Sequence, residues 1–196
     1  MRALWISGWA LPKSYLETIA KKRFPSLDHT IIYPGQNWQQ AFSHSTYDHV
    51  YAYSLGSFIL RQNTPKELLD IPTTHFAPFN AFKKEANHGG KVTSTQLKFL
   101  VRWLNKSPMK AIDDFYKSAN IQLPTTTNLP YSIEDLIWGI NTLLNDEIHT
   151  EPNKTRQYFI GDNDSLLDST VIVNEFKNCL TVKNGTHCCS SLNSFI

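Results

Sequence analysis

Cysteine is scarce in this chain: its 196 residues include only Cys179, Cys188 and Cys189. An odd number, with two of the three adjacent, is a poor disulfide framework and is typical of a reducing compartment. No apolar run approaches the roughly 18 residues that a membrane-spanning helix needs. The opening stretch MRALWISGWALP lacks a secretory cleavage pattern. We therefore expect a soluble, cytoplasmic protein.

A strong net charge, metal-ligand spacings and glycine-rich loops are also missing. The formal net charge of +2 is too small to indicate nucleic-acid binding by itself. The seven histidines do not fall into a metal-ligand spacing. No phosphate loop or dinucleotide fingerprint occurs. We expect no metal, no cofactor, and neither a nucleic-acid nor a membrane partner.

What the chain does contain is an alternation of short apolar runs with helical patterns. Helical patterns occupy residues 13–24, 54–62 and 169–177. The predicted strands are residues 2–7, 29–35, 48–53, 71–79, 155–161 and 178–184. This alternation predicts an α/β fold with a mostly parallel sheet of about six strands.

Residues 80–150 interrupt the alternation with three helical segments and no strand. The segments are TSTQLKFLVRWLNK, SPMKAIDDFYKSA and SIEDLIWGINTLLND, and Ser94 and Ser132 are candidate N-caps. Ligands bind at the carboxyl ends of parallel strands. We therefore interpret residues 1–79 and 151–196 as the core and 80–150 as a helical cap over the site.

A serine stands where the third predicted strand turns directly into a helix. The sequence Ala52-Tyr53-Ser54-Leu55-Gly56 is close to the nucleophile elbow G-x-S-x-G, with alanine in place of the first glycine. Small residues are needed because the sharp turn brings flanking backbone close together. The five residues alone leave two interpretations open: a nucleophile, or an ordinary serine N-cap.

The rest of the chain supplies a possible base and acid in the order that such folds use, serine, acid, histidine. Asp164 follows the fifth predicted strand, and His187 follows the last one. Asp162 and Asp168 compete with Asp164. Asp162 suits a turn, and Asp168 suits the first turn of the next helix. We therefore predict Ser54, Asp164 and His187 as a catalytic triad.

Acyl transfer also needs hydrogen-bond donors for the oxyanion, each worth on the order of 3 kcal/mol. One candidate is the backbone N–H of Leu55, which follows the serine. The other is the N–H of Trp9 in the loop after the first strand, where Gly8 permits a close approach.

With these motifs in this order, the chain resembles the α/β-hydrolases, and more specifically the pimeloyl-acyl carrier protein methyl ester carboxylesterases of biotin synthesis. That family's H-G-W loop, W-S-L-G elbow and G-x-x-D-x-L turn correspond to residues 7–9, 53–56 and 161–166. Its two cap helices are similar to LVRWLNKSPMKAIDDFYK and LIWGINTLLN. Ser7 and Ala52 depart from the family's residues, and the chain is short, which leaves a minimal core.

The resemblance implies a serine carboxylesterase that needs no cofactor and uses a basic cap to bind acidic acyl carrier protein. Between residues 80 and 120, basic residues outnumber acidic ones eight to three. Lys98, Arg102 and Lys106 recur on one helical face, which either binds the carrier or is merely solvated. Trp103 and Trp138 either line an acyl channel or pack cap against core.

Two other functions stay open at this point. The same chemistry could act on other small esters or acyl thioesters. The chain could also be a catalytically silent hydrolase-fold protein that binds an acyl chain or a partner. We expect a monomer.

Overall fold

The computed structural model describes residues 1–42, 46–123 and 128–192. Six strands form one sheet: Arg2–Ile6 (β1), Asp28–Ile32 (β2), His49–Tyr53 (β3), Thr73–Phe76 (β4), Gln157–Gly161 (β5) and Cys179–Val182 (β6). The helices are Lys13–Arg23 (α1), Leu55–Gln62 (α2), Ser94–Lys106 (α3), Pro108–Ser118 (α4), Ile133–Asn145 (α5), Ser169–Glu175 (α6) and Cys189–Leu192 (α7).

The sheet has the order β2-β1-β3-β4-β5-β6, and every neighbouring pair is parallel. All four residues of β4, and four of the five in β1 and in β3, are buried, as expected for strands covered on both faces. Each predicted strand is present, so the predicted α/β class and strand number are confirmed.

Helices α3, α4 and α5 lie between β4 and β5 in the sequence, and α3 packs against both α4 and α5. The hydroxyl groups of Tyr116 and Tyr131 donate to the carbonyl oxygens of Ala10 and Leu11, at 2.6 and 2.9 Å. Since these carbonyls follow β1, the helical segment is held against the carboxyl edge of the sheet. The division into core and cap stays an interpretation.

Two predicted helix starts differ in outcome. Ser132 caps α5 and accepts a hydrogen bond from the N–H of Asp135, as predicted. The prediction for Ser94 is wrong because Thr93 caps α3 in a reciprocal pair with Gln96. Ser94 is the first residue of the helix.

No helix of the described ranges is long and apolar enough to cross a membrane.

Candidate active site

The junction between β3 and α2 holds Ser54 in a backbone conformation uncommon for a residue with a side chain, with φ 51° and ψ −115°. Gly56, two positions later, is the second residue of α2. A Cβ on Gly56 would collide with the backbone oxygens of Ile6 and Ser7. The sequence therefore needs glycine here, because the end of β1 passes directly over the turn.

The hydroxyl of Ser54 does not cap α2, which excludes an ordinary side-chain N-cap. Its Oγ instead lies 3.0 Å from Nε2 of His187. On the far side of the imidazole, Nδ1 is 2.8 Å from Oδ2 of Asp164. The histidine and aspartate side chains are 1% and 0% exposed, so water has almost no access to the pair. The structure thus brings the three predicted residues into one hydrogen-bonded chain.

Asp164 is fixed in orientation by its own turn. Its second carboxylate oxygen, Oδ1, accepts hydrogen bonds from the N–H groups of Leu166 and Leu167, at 2.8 and 2.9 Å. Of the two competing acids, Asp162 is exposed, and Asp168 caps α6 by accepting from N–H groups of that helix. Asp164 is therefore the one of the three whose carboxylate contacts the imidazole.

The loop that carries His187 is anchored to both neighbouring segments. Tyr53, the last residue of β3, donates its hydroxyl to the backbone oxygen of His187 at 2.6 Å. The N–H of Asn163 donates to the oxygen of Gly185 at 2.9 Å. Any side chain on Gly161 would collide with Gly185. The histidine loop and the aspartate turn therefore form one tightly packed unit.

The loop after β1 borders the serine, as an oxyanion-binding loop must. A Cβ on Gly8 would lie 2.6 Å from the Tyr53 ring and 3.4 Å from Cβ of Ser54. Among the described residues, no acceptor is paired with the backbone N–H of Trp9 or of Leu55. The Trp9 side chain is buried and donates Nε1–H to the oxygen of Leu136 at 2.8 Å. It therefore joins this loop to α5.

A segment that sequence reasoning missed braces the aspartate turn. We call residues 89–91 the strap, because they pair antiparallel with residues 166–168. Lys91 donates its backbone N–H to the oxygen of Leu166 at 2.9 Å, and its Nζ to the oxygen of Asp164 at 2.6 Å. Gly89 has φ 83°, and a Cβ on Gly90 would collide with Phe82. In the sequence, the two adjacent glycines were the available sign that the chain turns tightly here.

A second serine–histidine pair lies nearby but is not arranged for acyl transfer. Ser57 Oγ is 2.9 Å from Nδ1 of His75, and both residues are fully buried. No carboxylate of the described residues hydrogen-bonds this imidazole, and its Nε2 has no partner among them. Burial, with help from two nearby arginines, holds the pKa of His75 well below its usual value. The pair is a buried core contact.

Within the described ranges, no hydrogen bond or ion pair joins the predicted cap residues to the triad. Lys98, Arg102 and Lys106 are exposed on α3 and have no ion pair among the described residues. Trp103 lines a cavity of 280 Å³ and Trp138 is half-buried against the core. No cluster of three or more metal-binding side chains occurs within the described ranges.

Two cavities lie around these helices, and neither is lined by Ser54 or His187. The 280 Å³ cavity lies between α3, α4 and the aspartate turn, whose Ser165 and Leu166 form part of its wall. Phe115 also lines it and packs edge-on against Trp9, with ring centroids 4.6 Å apart. A larger cavity of 510 Å³, beside α4, includes no residue of the triad. The smaller cavity thus borders the aspartate turn and, through Phe115, the loop after β1.

Comparison with solved structures identifies similar folds. The esterase EaEST from Exiguobacterium antarcticum matches 95% of this chain and 85% of its own, with a TM-score of 0.70 and 11% identity. BioG from Haemophilus influenzae matches 98% of this chain and 90% of its own, with a TM-score of 0.60 and 13% identity. The N-formylmaleamic acid deformylase from Pseudomonas putida matches 95% of this chain and 85% of its own, with a TM-score of 0.58 and 10% identity.

No protein-family model matches the sequence, and neither does any curated protein sequence. Identities of 10 to 13% establish the fold and nothing finer. The chain has the α/β-hydrolase fold, which confirms the predicted fold class.

Proposed function

We propose that this chain is a serine carboxylesterase with Ser54 as its nucleophile. The observation that carries the proposal is the continuous hydrogen-bonded chain from Ser54 through His187 to Asp164, mounted on a strained strand-to-helix turn. The carboxylate orients the imidazole, and the imidazole faces the hydroxyl that it must deprotonate. This arrangement supports acyl transfer.

In the proposed reaction, Ser54 Oγ attacks the ester carbonyl carbon while Nε2 of His187 takes the hydroxyl proton. The carbonyl oxygen becomes an oxyanion, which the N–H groups of Trp9 and Leu55 stabilise. His187 then gives the proton to the departing alkoxide, which leaves as an alcohol. Water attacks the acyl-enzyme, again losing its proton to His187, and the carboxylic acid is released with Ser54 regenerated.

We further propose the methyl ester of pimeloyl-acyl carrier protein as the substrate, with methanol as the leaving alcohol. The support is the resemblance of the S-G-W loop, the Y-S-L-G elbow, the acid turn and the cap helices to the carboxylesterases of biotin synthesis. The exposed basic side chains of Lys98, Arg102 and Lys106 suit an acidic carrier.

The test of this assignment is hydrolysis of pimeloyl-carrier-protein methyl ester, beside a free short-chain methyl ester and a free acyl thioester. We expect rapid cleavage of the carrier-bound ester. Cleavage of a free ester or thioester alone would retain the triad and discard the carrier-bound substrate. Cleavage of none would favour a binding protein with the hydrolase fold.

Charge reversal on α3 should separate carrier binding from chemistry. In Lys98→Glu/Arg102→Glu we expect kcat/KM for the carrier-bound ester to fall about 10- to 100-fold at low salt, because electrostatic steering of the acidic carrier is lost. Hydrolysis of a free short-chain ester should not change. Steady-state kinetics with both substrates, at low and high ionic strength, provides the measurement.

The matched control reverses two exposed lysines elsewhere, in Lys22→Glu/Lys66→Glu. It changes the net charge by the same amount and should leave the rate with the carrier-bound ester within twofold or so. Equal losses in both double variants would show an effect of net charge rather than of a docking face on α3.

Removing the strap's ammonium group should slow catalysis without weakening substrate binding. In Lys91→Met, the Asp164 carbonyl loses its charged donor, so the turn that orients the carboxylate is less constrained. We expect kcat for a short-chain ester to fall about tenfold with KM nearly unchanged, since a hydrogen bond to a charged group contributes about 1.5–3 kcal/mol. Lys91→Arg should restore most of the rate.

The control for this prediction is Lys84→Met, which removes an exposed lysine seven positions before Lys91, outside the strap. It should keep the wild-type kcat. A Lys91→Met enzyme with unchanged kcat, or one in which only KM rises, would assign Lys91 to the cavity wall rather than to the positioning of Asp164.

A further inference from the structure

Two arginines with incomplete pairing lie beyond the amino ends of the strands, away from the triad. Arg61 occupies the last turn of α2, and Arg156 directly precedes β5. Arg156 is only 8% exposed. Both line a pocket of 170 Å³ together with Thr64, Leu69, Thr150, Glu151, Asn153 and Tyr158.

The hydrogen bonds of these guanidinium groups are unequal. Arg61 donates to the oxygen of Phe79 at 3.0 Å and to Oδ1 of Asn80 at 2.8 Å, and its guanidinium also lies over the Phe176 ring. Arg156 has one long contact, from Nη1 to Thr64 Oγ1 at 3.5 Å. A guanidinium has five N–H donors, so most of those on Arg156 have no acceptor among the described residues.

Within the described ranges, the two arginines also lack a close counter-ion. No carboxylate of the described residues lies within 4.0 Å of either guanidinium. Burial lowers the pKa of Arg61 to about 10, against the effect of Tyr158 and Glu175, which raise it, and with a smaller lowering by the charge of Arg156. Burial also lowers the pKa of Arg156. The positive charge of Arg156 disfavours that of Arg61, and an anion bound to both would offset this repulsion.

We propose that Arg61 and Arg156 form a binding site for a compact oxyanion of the phosphate class. The planar guanidinium fork matches the oxygen spacing of phosphate, and the pocket is of small-ion size. Thr64 and Tyr158 donate their hydroxyl protons to the carbonyls of Leu60 and Asn153. The donors to the anion are therefore the guanidinium N–H groups, chiefly those of Arg156.

The site is separate from the triad, although the same elements connect them. Helix α2 begins directly after Ser54 and ends at Gln62, beside Arg61. Strand β5 begins after Arg156, and its other end leads into the turn of Asp164. A bound anion should therefore stabilise the core without competing with an ester substrate.

The test is the binding of inorganic phosphate to the full chain at constant ionic strength, with chloride as the balancing anion. We expect the Tm to rise by roughly 5–10 °C at about 100 times Kd. Isothermal titration should show one site, and Arg156→Gln should raise its Kd at least about tenfold. The KM for a short-chain ester should not change with phosphate.

The control Lys154→Gln removes an exposed positive charge two residues away and should bind phosphate as the wild type does. If Arg156→Gln does not fold, Arg156→Lys keeps the charge, lacks the fork and should still bind more weakly. A wild-type Tm that is independent of phosphate would overturn the proposal. An unchanged Kd in Arg156→Gln would also overturn it. So would a Tm that is lower in Glu151→Gln than in a wild-type protein that binds no phosphate, because Glu151 would then be the counter-ion of the arginines.

Discussion

Replacement of Ser54 by alanine should lower kcat for ester hydrolysis by about 10⁴- to 10⁶-fold, the range typical of a lost triad nucleophile. The change removes one hydroxyl, which contacts His187 at 3.0 Å and does not cap α2. The fold should therefore survive. The measurements are kcat with a short-chain ester and a thermal melt of each protein.

Ser57→Ala is the matched control for this variant. Ser57 lies three residues further along the chain, inside α2, and also pairs with a histidine, but no carboxylate of the described residues hydrogen-bonds that histidine. We expect Ser57→Ala to keep near-wild-type kcat and to lose some stability. If Ser57→Ala were inactive and Ser54→Ala active, the nucleophile would be misassigned.

A fluorophosphonate adds a second readout that does not depend on the choice of ester. We expect one covalent adduct on the wild-type protein, at Ser54, and none on Ser54→Ala. A wild-type protein that neither hydrolyses esters nor forms the adduct would be a catalytically silent binding protein, despite its well-formed triad geometry.

The parts of this molecule that the sequence predicts are those encoded by contiguous residues. Each strand is a short apolar run between helical patterns, and the elbow consists of five consecutive residues around Ser54. The order of acid and histidine also follows from their positions after strands, because parallel strands deliver their carboxyl ends to one edge. These features therefore needed no knowledge of distant contacts.

The strap and the paired arginines could not be predicted because they depend on contacts between distant segments. Lys91 reaches Asp164 across 73 positions, and Arg156 reaches Thr64 across 92. Neither pair follows a helical or strand period, and the adjacent Gly89 and Gly90 indicate a turn but not the segment that it contacts. The start of α3 was missed for a different reason: Thr93 and Ser94 are adjacent and both can cap, and the reciprocal bond with Gln96 selects Thr93.

Asp164→Asn should be the most informative change to the orientation of the histidine. Oδ1 of Asp164 accepts from two backbone N–H groups, so the amide oxygen of an asparagine must face the same two donors. Its NH₂ group then faces Nδ1 of His187, which must become an acceptor. The imidazole proton moves to Nε2 and points at Ser54, where a base is required. We expect kcat to fall about 10⁴-fold near neutral pH.

Asp162→Asn and Asp168→Asn are the controls, since each makes the same substitution in the same turn. Asp162 is exposed, and asparagine caps helices about as well as the aspartate that caps α6, so neither change should alter kcat or stability much. The three variants together decide which carboxylate orients the histidine. Loss of rate in Asp168→Asn with retention in Asp164→Asn would reject the hydrogen bond between Asp164 and His187 as the catalytic one.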